Sequence, residues 1–227
     1  MSPRAPDWLA RLAGRRRAPD AEPTAAADAA LRNRFATLAR AAGVTPPPLE
    51  VERDPRGRLL PARVDWSEEE DRVVVSSRLV AADAPEQTWH LAACLGWWTS
   101  PEPRRTRNRG RVAIGIVAVP YVIAGFAGLS DSIDLPRVAV FLLGTALAAM
   151  FTWAHHAASR RHVLALDAAG RSVLRSAGHD PATLGRLVFG HVDDPAWYRR
   201  PLSNVPPPSR RLAEAARPVV TPARALF

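Results

Sequence analysis

VAIGIVAVPYVIAGFAGLS (112–130) and VAVFLLGTALAAMFTWA (138–154) are two apolar runs joined by a short polar turn, and their reading decides the expected architecture. Neither run carries Asp, Glu, Lys, Arg or His. As helices they extend about 25 to 29 Å at ~1.5 Å per residue, close to the hydrocarbon core of a bilayer, so a two-helix transmembrane hairpin is expected. Pro120 is expected to kink the first helix and Pro136 to stand where the second begins.

Charge placement orients this hairpin. Arg104, Arg105, Arg107, Arg109 and Arg111 precede the first run, Arg160 and Arg161 follow the second, and the turn offers Arg137 against Asp131 and Asp134. The positive-inside rule then places both termini in the cytoplasm, making an integral protein of the cytoplasmic membrane whose first partner is the lipid bilayer. Trp97, Trp98 and Trp153 fall near the cytoplasmic boundary, and His155 and His156 read as interfacial anchors. Small residues at Gly115, Gly125, Gly128, Gly144, Ala148 and Ala149 could pair such hairpins into an oligomer.

Composition sets the outer bounds. The chain has 227 residues, 47% hydrophobic and 23% charged, which excludes a purely disordered protein. All 31 basic residues are Arg and the net charge is +9, but the arginines stand where topology would put them. No zinc-finger spacing or aromatic-basic strand motif accompanies them, so no nucleic-acid partner is expected. Cys94 is the single cysteine and cannot form an internal disulfide, and no charged-then-apolar leader opens the chain, so a secreted disulfide scaffold is not expected.

Outside the hairpin the chain reads as α plus β. PDWLARLAGRRR (6–17) is either a surface helix or a disordered arm. Thr24 caps a helix with Leu31, Phe35 and Leu38 on its apolar face and Gly43 at its end. Strands follow at 49–52, 60–66 and 72–77, with the acidic run 67–71 as a hairpin turn. Asp83, with Pro85 and Glu86, caps a helix through 86–98. A further helix is expected to begin near Arg160, a shorter one after Asp180-Pro181, and a last one around 210–217. His179 and His191 read as solvent-exposed, and Trp197 to Arg200 as a contact patch or a packed loop. The organisation is a basic arm (1–23), a helix-strand segment (24–103), the hairpin (104–159), a helical segment (160–217) and a tail (218–227).

Four phrases and their order carry a resemblance: ARAAGVTPPPLEV (39–51), VVVSSRLVAADAPEQTWHLAAC (73–94), LDAAGRSVLRSAGHDPATLGRL (166–187) and VPPPSRRL (205–212), with the hairpin between the second and third. Together they resemble membrane-embedded zinc metallopeptidases of the HtpX and CAAX-prenyl-protease type, over about residues 28 to 215. The resemblance implies an α+β, mainly helical, gluzincin-like cytosolic domain with a small sheet, interrupted by the transmembrane hairpin. In that family HExxH and ExxxD hold zinc, and a later HPPxxxR phrase completes the polar set.

The matching positions depart from the pattern. His90, Leu91 and Cys94 stand for HExxH, Val163 and Asp167 for ExxxD, and Val205 and Arg211 for the last phrase. Leu91 cannot act as general base, and Val163 cannot ligate, so no catalytic residue is expected. Leu91, Cys94 and Val163 read as a former cleft refilled with apolar groups. The resemblance therefore implies a membrane-anchored, catalytically inactive metallopeptidase-like protein without a cofactor, which binds a polypeptide or a membrane partner, the polypeptide by β-augmentation on strand 72–77. Two alternatives stand beside it: a zinc peptidase with an altered site on His90 and Cys94, helped by His162 or Asp167, and a structural two-span membrane protein.

Overall fold

The computed structural model describes residues 24–53, 61–66, 71–129, 137–195, 203 and 205–218, with only the backbone of 65, 66, 117, 119–129 and 137–143. The N-terminal arm, the acidic turn at 67–70, the loop at 130–136, the patch Trp197 to Arg200 and the end of the tail lie outside these residues. In chain order the elements are α1 (Ala25–Ala41), β1 (Leu49–Glu52), β2 (Ala62–Trp66), β3 (Asp71–Ser76), α2 (Ser77–Val80), α3 (Ala84–Thr99), α4 (Glu102–Leu129), α5 (Arg137–Ser176), α6 (Pro181–Phe189) and α7 (Pro208–Ala215).

Local chemistry sets most of these boundaries. Thr24 Oγ1 accepts from the Ala27 amide, Asp83 from Glu86 and Asp180 from Ala182 and Thr183, each satisfying donors that open a helix. Gly43 (φ 69°) and Gly178 (φ 79°) take the left-handed conformation that ends α1 and α5. Gln87 is buried, and its side-chain amide donates to the carbonyls of Leu79, Val80 and Ala82, pinning the short helix α2 against the start of α3. Its oxygen accepts from Arg34 of α1.

The sheet has the order β1-β3-β2, with β1 parallel and β2 antiparallel to β3. Val73, Val74 and Val75 are all buried, as expected of a strand covered on both faces. This corrects the assignment of a peptide-binding edge to strand 72–77. β3 is paired on both sides, so its ladder groups are occupied, and the edge toward α3 belongs to β2.

α3 and α5 cross at backbone contact. A Cβ at Gly170 would lie 2.7 Å from the Ala93 Cα, and one at Gly96 would lie 2.7 Å from the Ala169 Cβ. Around this crossing the core gathers Leu31, Phe35, Val73, Val75, Trp89, Leu91, Leu95 and Val173.

The helical hairpin differs from the expected one. Among the described residues no helix is long and apolar enough to cross a membrane. That overturns the two transmembrane spans, the membrane-interrupted fold class and the integral-membrane localisation. Each apolar run is part of a longer helix that also carries charged residues. α4 carries five arginines in its first ten residues. α5 is 40 residues long and continues past Ala154 through His155, His156, Arg160 and Arg161. No new helix begins near Arg160, and the 159/160 boundary falls inside α5.

Candidate functional site

The site lies where β2, α3 and α5 meet, and it follows from helical spacing. His90 and Cys94 are four residues apart on α3, and Val163 and Asp167 are four apart on α5, so each pair shares one face. The glycine-mediated crossing brings these faces together. His90, Cys94, Val163, Asp167, Val205 and Arg211 all line a cavity of about 200 Å³. Leu91 does not: it is fully buried in the core behind the cavity. Refilling of the cleft by apolar groups is thus incomplete, since Cys94 and Val163 reach it but leave space.

Pro61, Ala62, Arg63 and Val64 form one wall of the cavity. Successive strand residues point to opposite faces, so four in a row can border one cavity only along the strand's edge. The register tells which backbone groups face out. The Ser76 amide donates to the Pro61 carbonyl at 2.9 Å, and Ala62 stands opposite Val75. By antiparallel alternation Pro61, Arg63 and Asp65 turn their ladder groups toward β3, while Ala62, Val64 and Trp66 turn theirs outward.

On the floor, Asp167 is 1% exposed and fully engaged. Arg211 Nε donates to its Oδ2 and Nη2 to its Oδ1, both at 2.7 Å, and Trp89 Nε1 donates to Oδ1 at 3.0 Å. The Arg211 guanidinium rests over the Phe189 ring at 4.3 Å, and Trp89 meets that ring edge-on at 5.3 Å. Such a bidentate, stacked arrangement fixes α7 and α6 onto α3 and α5. Asp167 therefore pairs with Arg211 and Trp89, with no bond to His90 among the described residues.

The titratable groups are tuned by burial. His90 is held well below the ordinary histidine pKa, first by desolvation and then by the Arg211 guanidinium. The Cys94 thiol is pushed up to about 12, first by burial and then by the Asp167 charge, so it is a thiol and not a nucleophilic thiolate. His162 is also lowered, by burial and by Arg107, and its Nδ1 is buried without a hydrogen-bond partner. His162 meets Trp97 edge-on at 6.0 Å, and Trp97 Nε1 donates to Asp71 at 2.7 Å. Arg104 and Arg107 lie 5.2 and 5.4 Å from the centre of the Trp97 ring, tying the start of α4 to β3.

A catalytic zinc ion takes three protein ligands. Both oxygens of Asp167 are bound by Arg211, and Val163 and Val205 have no donor atoms. Among the described residues no group of three or more His, Cys, Asp or Glu is arranged to hold a metal. The His155 and His156 rings meet edge-on at 5.8 Å on α5 and are not among the residues that line the cavity.

Sequence reasoning did not anticipate Trp89, Phe189, Arg107 or the β2 edge at this site. The indole of Trp89 had one legible signal, its place beside His90 at the turn that faces α5. Its acceptor lies 78 residues away, beyond any local pattern. No protein-family model matches the chain, and no curated protein or solved structure matches it.

Proposed function

We propose that this protein is a non-hydrolytic polypeptide-binding protein, related in plan to the zinc metallopeptidases but using their cleft for recognition alone. The observation that carries this reading is the edge of β2, whose outward backbone groups at Ala62 and Val64 border the cavity beside His90 and Cys94. An extended segment laid along that edge gains main-chain hydrogen bonds from the strand, with the cavity receiving one of its side chains. The cavity wall is apolar at Ala93, Cys94, Val163, Leu166 and Val205, so it favours a small aliphatic side chain at that point. Chemistry is withheld because Asp167, the one carboxylate among the described residues that line the cavity, is not free to accept a proton. Leu91 occupies the general-base position, and Asp167 is committed to Arg211.

The test is a peptide array probed with the full chain, followed by calorimetry on the strongest binder. Ala62→Pro removes an outward amide that the β3 ladder does not use, as an edge position tolerates. It is expected to weaken peptide binding by about tenfold or more while leaving thermal unfolding close to that of the parent. Unchanged affinity in Ala62→Pro would refute strand addition at β2, and peptide cleavage abolished by His90→Ala would refute the non-hydrolytic reading.

A further inference from the structure

A second cavity, of about 530 Å³, opens between α4, α5 and α7 on a different part of the molecule. Its volume falls within the range of small-molecule sites. Arg109 of α4, Arg161 of α5 and Arg210 of α7 all line it. Arginines on a surface are ordinarily dispersed or paired, yet the side chains of these three form no ion pair or hydrogen bond among the described residues. Glu102 and Glu214 line the cavity as well, and with Arg217 four arginines stand against these two carboxylates, so the lining is net positive. Glu214 is taken by Arg171 at 2.8 Å and Arg217 at 2.9 Å, and Glu102 accepts from Thr106 at 3.4 Å.

The floor has the opposite character. Ala113, Ala154, Ala157 and Ala158 line it, and α4 and α5 approach closely there, since a Cβ at Gly110 would lie 2.9 Å from the Ala158 Cβ. From the arginines an apolar strip leads outward along the same two helices. Val112 and Ile116 on α4 are 63% and 67% exposed, and Met150 and Trp153 on α5 are 46% and 59% exposed. The helices are antiparallel, so Arg109 and Arg161 stand at one end of the strip and Ile116 and Met150 at the other. Arg109 to Ile116 spans about 10 Å of helix rise.

The geometry points to a binding site for a single-chain anionic amphiphile, whose carboxylate or phosphate head is held by Arg109, Arg161 and Arg210 and whose hydrocarbon chain lies along the Val112–Ile116 and Met150–Trp153 strip. Charge and apolar surface each select one half of such a ligand. Three guanidiniums from three helices can surround one anionic head with charge-assisted hydrogen bonds, and the alanine floor admits a chain without a bulky side chain in its way. An acidic peptide would satisfy the arginines but leave the strip uncovered, and a neutral amphiphile would do the reverse.

The experiment is calorimetric titration of the full chain with dodecyl phosphate and with laurate, each below its micelle concentration. Dodecyl maltoside, inorganic phosphate and an oligoglutamate peptide serve as comparisons. Both anionic amphiphiles are expected to bind about tenfold or more tightly than any comparison, and Arg161→Gln/Arg210→Gln to lose that advantage. Trp153→Ala is expected to weaken the amphiphiles while leaving inorganic phosphate unchanged. The substituted side chains are exposed, so thermal unfolding of the variants should match the parent. Equal affinity for dodecyl maltoside would reduce the site to an apolar strip. Equal or tighter binding of phosphate or oligoglutamate would reduce it to a charge patch, and no binding of either amphiphile would overturn it.

Discussion

Arg211 and Arg161 are the same side chain in two opposite situations. Arg211 is 6% exposed, doubly bonded to Asp167 and stacked on Phe189. Arg161 is exposed at the rim of an alanine-floored cavity, with no ion pair among the described residues. The difference teaches where to look for function. A buried charge with every hydrogen bond answered holds elements together, whereas convergent charges left unanswered are available to a ligand.

Removing the partner of a buried charge should have the largest effect. Arg211→Ala leaves Asp167 buried and uncompensated, with an expected loss of about 3–5 kcal/mol in chemical denaturation. Asp167→Leu/Arg211→Met should lose much less, because it removes both charges together. If the single and double variants were equally destabilised, the pair would not be the structural tie described here.

Gly170→Ala probes the crossing that assembles the cleft. Its Cβ would meet the α3 backbone, which cannot step aside as a side chain could. An expected cost of about 1–3 kcal/mol follows from overpacking, measured by thermal or urea unfolding. A neutral result would mean that α3 and α5 separate easily, and that the cavity between them is not fixed in shape.

Acid should sharpen the contrast further. Burial holds His90 and His162 below the ordinary histidine pKa, so the folded chain resists protons that the unfolded chain accepts. Stability from these groups is fully present above about pH 6.5 and falls as the pH drops below that value. His90→Gln should flatten this decline over the histidine range in unfolding curves taken at successive pH values. A slope unchanged by His90→Gln would place the acid sensitivity elsewhere.

Arg161→Gln should have the smallest effect on stability, within about 0.5 kcal/mol of the parent. A marked loss would show that the exposed arginine is structural after all, and the contrast with Arg211 would collapse.

Much of the helical framework was legible because it is written in local chemistry. Thr24, Asp83 and Asp180 cap the helices they precede, and Gly43 and Gly178 end the helices they follow. The i,i+4 pairs His90/Cys94 and Val163/Asp167 were legible for the same reason. Strand order was not, because it depends on pairing across the sheet. The run Val73-Val74-Val75 did carry a signal, since a strand with no polar alternation belongs in the middle of a sheet. The helices that hold the two apolar runs were legible only in part, because one opens with five arginines and the other continues to Ser176. The Arg109, Arg161 and Arg210 cluster was hidden by the distance between its members in the chain.

The proposed function requires that the cleft between α3 and α5 take a polypeptide and no zinc. Zinc titration of the full chain by calorimetry, beside His90→Ala/Cys94→Ala, tests it most directly. The account predicts the same weak, non-saturating heats in both proteins and no zinc-dependent rise in melting temperature. One equivalent of tightly bound zinc in the parent, lost in the double variant, would contradict it.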